Sequence, residues 1–288
     1  MYTITDHPEL DAAVMITALA GWVDAATVGT TTAAHIGMDG RQIAEFDPDE
    51  LFDYRSQRPI LDIVDGSMKQ TVWPEVVVRY AVVGGRDVLV LTGQEPDLGW
   101  KKFSKSVAEI CTHLGVTQLI TLGAVPAAVP HTMPPPVLTT ASDIDILKGE
   151  VRLPEGLLRV PAAAVSIVDQ AVAAAGIPTV GFFVQVPHYV SGPYTAGVLA
   201  LVRRVADHLE IEIPLDDLES ETAAQREQLD AVVASQPEAQ EYVERLETMT
   251  SDQPVVSGEE LANEIERYLR DARRGERRPD DPPEGSAG

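Results

Sequence analysis

The stretch VMITALAGWVD, residues 14–24, sets the architecture of this chain. Val14 to Ala20 is a short apolar run closed by Gly21, the pattern of a strand buried on both faces. Asp24 then stands where a helix cap is wanted, ahead of a helical stretch through about Ile36 that Gly37 ends. The same alternation of strand and helix continues outward from this segment.

Gln42 to Phe46, Leu61 to Val64, Val76 to Val83 and Val88 to Leu91 read as strands, with Gly84-Gly85 as a tight hairpin turn between the last two. Phe103, Val107, Ile110, Cys111 and Leu114 recur at helical spacing up to Gly115. Leu119 to Leu122 and Val137 to Thr140 are further strands. Ser166 and Asp169 have the spacing of a capping box before a helix that carries Ile167, Val168, Ala171, Val172 and Ala175 and stops at Gly176. Thr179 to Val186 is an apolar strand, and Val198, Leu201, Val202, Val205 and Leu209 mark the helix after it. This order predicts an α/β fold with a mixed, mainly parallel sheet, the hairpin supplying the antiparallel element.

After Pro214 the texture changes and strands vanish. Helices are expected over about 216–234, 237–249 and 257–273. The last opens on a Ser257/Glu260 capping box and carries an apolar stripe of Leu261, Ile265, Tyr268 and Leu269. Between Asp207 and Glu247 there are 13 acids against Arg226 and Arg245. Such a run is either a solvated helical face or a docking surface for a basic partner. The tail RGERRPDDPPEGSAG is charged and rich in Pro and Gly, the composition of a disordered segment. The expected division is therefore an α/β domain over 1–213, an acidic helical extension over 214–273 and a disordered tail over 274–288.

The 288 residues carry 22 basic and 45 acidic side chains, a net charge of −23. That charge repels phosphate backbones and excludes non-specific nucleic-acid binding. No apolar run approaches the roughly 20 residues of a membrane-spanning helix. The N-terminus lacks the basic and apolar regions of a secretory signal, so a cytoplasmic location is expected. One cysteine, Cys111, excludes an internal disulfide framework, and its place on an apolar helix stripe reads as a structural thiol. Nucleotide, zincin and hydrolase-elbow motifs are absent, and the six histidines have no ligand spacing. No metal and no cofactor are expected.

Ligands of open α/β sheets bind outside the carboxyl ends of parallel strands. Polar residues gather after four such runs. Asp24 follows the first. Glu95, Asp97 and Trp100 follow Val88–Leu91. His131 follows Leu119–Leu122 in a Val129-Pro130-His131 segment. His188 and Tyr189 follow Thr179–Val186 in a second Val186-Pro187-His188 segment, and a cis proline in either would fix a sharp exit. Asp24, Glu95, His131 and His188 are thus candidate acid–base residues, and Asp97, Trp100 and Tyr189 candidate substrate contacts. The structural reading of each stands beside this: Asp24 as a helix cap, Glu95-Pro96-Asp97 as an ordered loop, each histidine as a loop hydrogen-bonder, Trp100 and Tyr189 as core lids. Arg55 and Arg58 are scarce cations that either clamp an anionic group or pair with Asp49, Glu50 or Asp53.

Together, Ala20 to Ala25, Phe52 to Pro59, Gly93 to Asp97 with Trp100, Gly123 to Ala127, Val129 to Thr132 and Val186 to Ser191 resemble the PAC2 family, named after proteasome assembly chaperone 2. The helical extension resembles the C-terminal region of actinobacterial members. The resemblance implies a three-layer α/β/α sandwich similar to nucleoside phosphorylases, and self-association as a homo-oligomer. It also implies a protein partner, a proteasome subunit or another. The chain ends Glu284 to Gly288, which departs from the hydrophobic, tyrosine-bearing tail of proteasome-docking chaperones. The leading expectation is a non-catalytic assembly chaperone or interaction module. The alternative is a small-molecule enzyme or binding protein, hydrolase-, phosphorylase- or carboxylate–amine ligase-like, with its site at the sheet edge. No enzymatic activity is assigned.

Overall fold

The structure, a computed structural model, describes residues 1–37, 39–148 and 157–252. In chain order these form β1 (Tyr2–Ile4), β2 (Val14–Ala20), α1 (Val28–Ile36), β3 (Arg41–Phe46), α2 (Pro48–Leu51), β4 (Ile60–Val64), β5 (Ser67–Val72), β6 (Val76–Val83), β7 (Arg86–Gln94), α3 (Trp100–His113), β8 (Gln118–Ala127), β9 (Val137–Ala141), α4 (Ala164–Ala174), β10 (Thr179–Pro187), α5 (Thr195–Leu209), α6 (Asp216–Ala234) and α7 (Pro237–Asp252). The expected Ser257/Glu260 helix and the tail lie outside the described residues.

Eight strands make one sheet in the order β1-β3-β6-β7-β2-β8-β10-β9. Its centre, β7-β2-β8-β10, is parallel, and antiparallel pairings flank it on both sides. The central position of β2 explains why its sequence lacks alternation. Val14, Ile16 and Ala18 face one helical layer, packed with Val28 and Ala33 of α1 and Val198, Leu201 and Val205 of α5. Met15 and Leu19 face the other, packed with Phe103, Val107 and Ile110 of α3 and Val165, Val168 and Val172 of α4. Burial of both faces is the main source of stability at roughly 25 cal/mol per Å² of apolar surface. The result is a three-layer α/β/α sandwich with α6 packed on α5 and α7 on α6.

Three local expectations are corrected. The helix after β2 begins at Val28, not beside Asp24. Asp24 instead forms a parallel bridge with Ala124, and the chain turns through a short 3₁₀ segment in which Ala26 and Thr27 take positive φ. The Ser166/Asp169 capping box does not form. The helix starts at Ala164, which puts Ser166 inside the first turn and aims Asp169 at the sheet. Leu61–Val64 is a strand, but in a separate two-stranded hairpin with β5, closed by Asp65-Gly66, both at positive φ. Peptide bonds are trans throughout the described residues, those before Pro130 and Pro187 included.

Candidate functional site

The parallel core brings the carboxyl ends of β2, β7, β8 and β10 to one edge, as the sequence predicts. The side chains there fall into three separate structures rather than one acid–base cluster.

Asp24 is buried, and its carboxylate accepts from the Thr30 amide at 3.1 Å and the Thr30 hydroxyl at 2.5 Å. It caps α1 from four residues before the helix begins. Burial raises its pKa above the usual carboxylate range, against those hydrogen bonds.

Glu95 joins three segments. Its Oε2 accepts from the Trp22 amide at 3.0 Å and its Oε1 from the Ala164 amide at 2.7 Å. A carboxylate at the first turn of α4 supplies the cap that Ala163 cannot. Gly21 makes room for it: a Cβ there would lie 2.5 Å from Glu95 Oε2. The Glu95 carbonyl accepts from the Gln57 side chain, Asp97 accepts from the Asp53 amide at 3.0 Å, and the Trp100 indole donates to the Pro96 carbonyl. These bonds knit the 93–100 loop to the 47–58 loop. Arg55 is largely exposed and pairs with Asp53, 3.2 Å away, and Arg58 is exposed. Neither lines a cavity with the other candidates.

His131 and His188 do come together, around Tyr189, with ring centroids 5.7 Å from it in each case. The Tyr189 hydroxyl accepts from the His131 amide at 2.7 Å, which leaves its proton for Nδ1 at 2.8 Å. Nε2 of His131 then donates to Asp230 of α6 at 3.1 Å. Burial lowers the His131 pKa, and the Asp230 carboxylate only partly offsets this, so the environment favours the neutral ring. Asp230 also holds Arg226, whose guanidinium donates to the Thr132 carbonyl at 2.9 Å. Thr132 in turn donates to Glu247 of α7. His188 donates from Nδ1 to the Ala127 carbonyl at 3.1 Å and accepts at Nε2 from the Tyr242 hydroxyl of α7 at 3.2 Å. Both Val-Pro-His segments therefore serve as sockets for the acidic helices. Their counterparts Arg226, Asp230, Tyr242 and Glu247 sit in a helical run whose acidity masks them, and only the i,i+4 pairing of Arg226 with Asp230 marks the place in sequence.

A cavity of about 570 Å³ lies elsewhere, between α4 and the β8-β10-β9 side of the sheet. Trp22, Val125, Leu138 and Phe183 give it apolar walls, and Thr140, Ser142, Ser166, Asp169, Gln170 and Thr179 its polar points. None of Asp24, Glu95, His131 and His188 lines it. Asp169 Oδ1 accepts from the Thr121 hydroxyl at 2.5 Å, and burial pushes its pKa up to about 7. Asp169 is the ionisable residue that sequence reading set aside as a helix cap. Among the described residues no group of three or more His, Cys, Asp or Glu could hold a metal ion, and no helix is long and apolar enough to cross a membrane.

The model of the PAC2 family matches residues 18–233, which takes in the sheet from the end of β2 onward, both sockets and most of α6. The chain belongs to the PAC2 family. Among solved structures, this PAC2 protein is 32% identical to a Corynebacterium glutamicum protein of unknown function, over 87% of its own length and 97% of the other, with a TM-score of 0.82. It is 30% identical to a Mycobacterium tuberculosis protein of unknown function (93% and 96% covered, TM-score 0.85). It is 33% identical to a Mycobacterium tuberculosis proteasome-assembly chaperone homologue (80% and 99% covered, TM-score 0.74). No curated protein matches.

Proposed function

We propose that this PAC2 protein is a non-catalytic, chaperone-like interaction module whose helices α6 and α7 present an acidic surface to a basic protein partner. The observation that carries the reading is the use of His131 and His188. Both are engaged in seating the extension, which supports a structural role for them over general-base work. Rigid presentation lowers the ordering cost of binding. Asp217, Glu221, Glu227, Glu238, Glu241 and Glu244 remain on the exposed surface of those helices. The likeness to a proteasome-assembly chaperone homologue supports the same class of role, with a proteasome subunit as one candidate partner.

Self-association belongs to the proposal and is assigned to the β4–β5 hairpin. Ile60, Ile63, Val64, Met68 and Val72 are all about half exposed or more. Residues 60–73 carry only Asp62, Asp65 and Lys69, so this is a nearly neutral apolar surface on a chain of net charge −23. A second copy meets least repulsion there.

Native mass spectrometry of the protein isolated from its own host at low salt tests the main reading. A stoichiometric protein partner, released as salt rises, is expected. A chain without a protein partner at low salt overturns it.

A further inference from the structure

The cavity beside α4 has the features of a small-molecule site that the acidic extension does not use. Its volume of about 570 Å³ falls within the common range for ligand pockets. Most of its wall is apolar, with the indole of Trp22 and the ring of Phe183 among the lining groups. One charged side chain reaches it. Asp169 is half-buried against Thr121 of β8 and lines the cavity. Its Oδ1 is taken by Thr121, and no described residue donates to Oδ2. A carboxylate in such a place is costly unless something supplies a donor.

The chemistry of the wall selects the ligand. No described lining residue is Lys, Arg or His. A carboxylate or phosphate would therefore face Asp169 with no compensating cation, which disfavours nucleotides and organic acids. A protonated amine matches in sign, and aromatic faces favour a cation in the same space. Thr140, Ser142, Ser166, Gln170 and Thr179 add neutral hydrogen-bonding groups to the lining.

We propose that this cavity binds an organic amine, its cationic nitrogen held by Asp169 and its apolar body packed against Trp22, Val125, Leu138 and Phe183. The site is independent of the extension: none of the sockets lines it, so the two proposals fail separately.

The test is isothermal titration of the full-length protein at pH 8 with 2-phenylethylamine, and with 2-phenylethanol and 3-phenylpropionate as neutral and anionic counterparts of similar shape. The amine is expected to bind at least about tenfold more tightly than the alcohol, and the acid not at all. Asp169→Asn should weaken the amine about tenfold to a hundredfold and leave the alcohol unchanged. At pH 6, where the carboxyl is mostly protonated, amine binding should fall. Ala173→Leu, which fills the cavity from α4 and keeps the carboxylate, should abolish binding of both, and it carries the test if Asp169→Asn does not fold. The proposal is overturned if the amine gives no heat up to about 10 mM, if the acid binds as well as the amine, or if the foldable variants bind the amine like the parent chain.

Discussion

Glu95 and Ala164, 69 residues apart, share a 2.7 Å hydrogen bond that caps α4 from the loop after β7. The same carboxylate holds the Trp22 amide, so one side chain ties the exits of β2 and β7 to the start of a helix in the opposite half of the chain. Glu95→Ala leaves two amides without acceptors and should cost about 1–3 kcal/mol in urea unfolding. Gly21→Ala should approach the same loss, because its methyl group takes the space of Oε2. A Glu95→Ala variant as stable as the parent chain would show that water replaces the carboxylate freely.

His131→Ala should loosen α6 and α7 without unfolding the sheet. The variant removes the ring that bridges the Tyr189 hydroxyl and Asp230, leaving them only the His131 backbone amide and Arg226, a loss of about 2 kcal/mol at the docking contact. Hydrogen exchange should rise across 216–252 and stay unchanged in β2 and β8. Uniform acceleration over the whole chain would contradict the socket assignment.

The same contact should weaken in acid. Burial depresses the folded pKa of His131 below its ordinary 6.5. The unfolded ring therefore takes up a proton first, and the stability held by the neutral ring is lost as pH falls below about 6.5 toward the folded pKa. Proteolytic release of the extension should accelerate as pH falls below about 6.5 in the parent chain, and far less in His131→Ala.

Asp169 works in the other direction. Its pKa rises from 3.8 to about 7 on folding, so the protonated form stabilises the fold below about pH 4 and that contribution is lost as pH rises through 7. Asp169→Asn, which keeps an acceptor for Thr121, should gain on the order of a few kcal/mol at pH 8 and much less at pH 4, as read by thermal unfolding. Equal effects at both pH values would mean that the carboxyl is not perturbed.

Replacing Ile63 and Met68 together by Lys should shift light scattering toward a monomer at micromolar concentration. The hairpin stands outside the main sheet, so the thermal transition should move little. Unchanged mass would place the self-contact elsewhere.

Much of the fold is legible because burial writes periodicity into the chain. The double-sided burial of β2 appears as VMITALA, and the α3 stripe from Phe103 to Cys111 is buried as its spacing predicts. β5 was not legible because its residues, Ser67 to Val72, are all exposed and follow no core. The Asp65-Gly66 turn was the signal that could have found it. At the candidate site, residue types at strand ends were readable, but their partners were not. The donors to Glu95 are backbone amides of residues 22 and 164, and backbone groups leave no trace in side-chain identity. Asp169 was misread because a capping-box spacing says nothing about a cap arriving from residue 95.

The place of β2 in the sheet has a consequence for synthesis. This almost wholly apolar strand leaves the ribosome early, yet its neighbours β7 and β8 begin only at Arg86 and Gln118. At about 5–20 residues per second, β2 waits several seconds with both edges unpaired. An unpaired apolar strand is a template for wrong pairing, so residues 14–20 are the segment of the nascent chain that most needs shielding until the sheet closes around them.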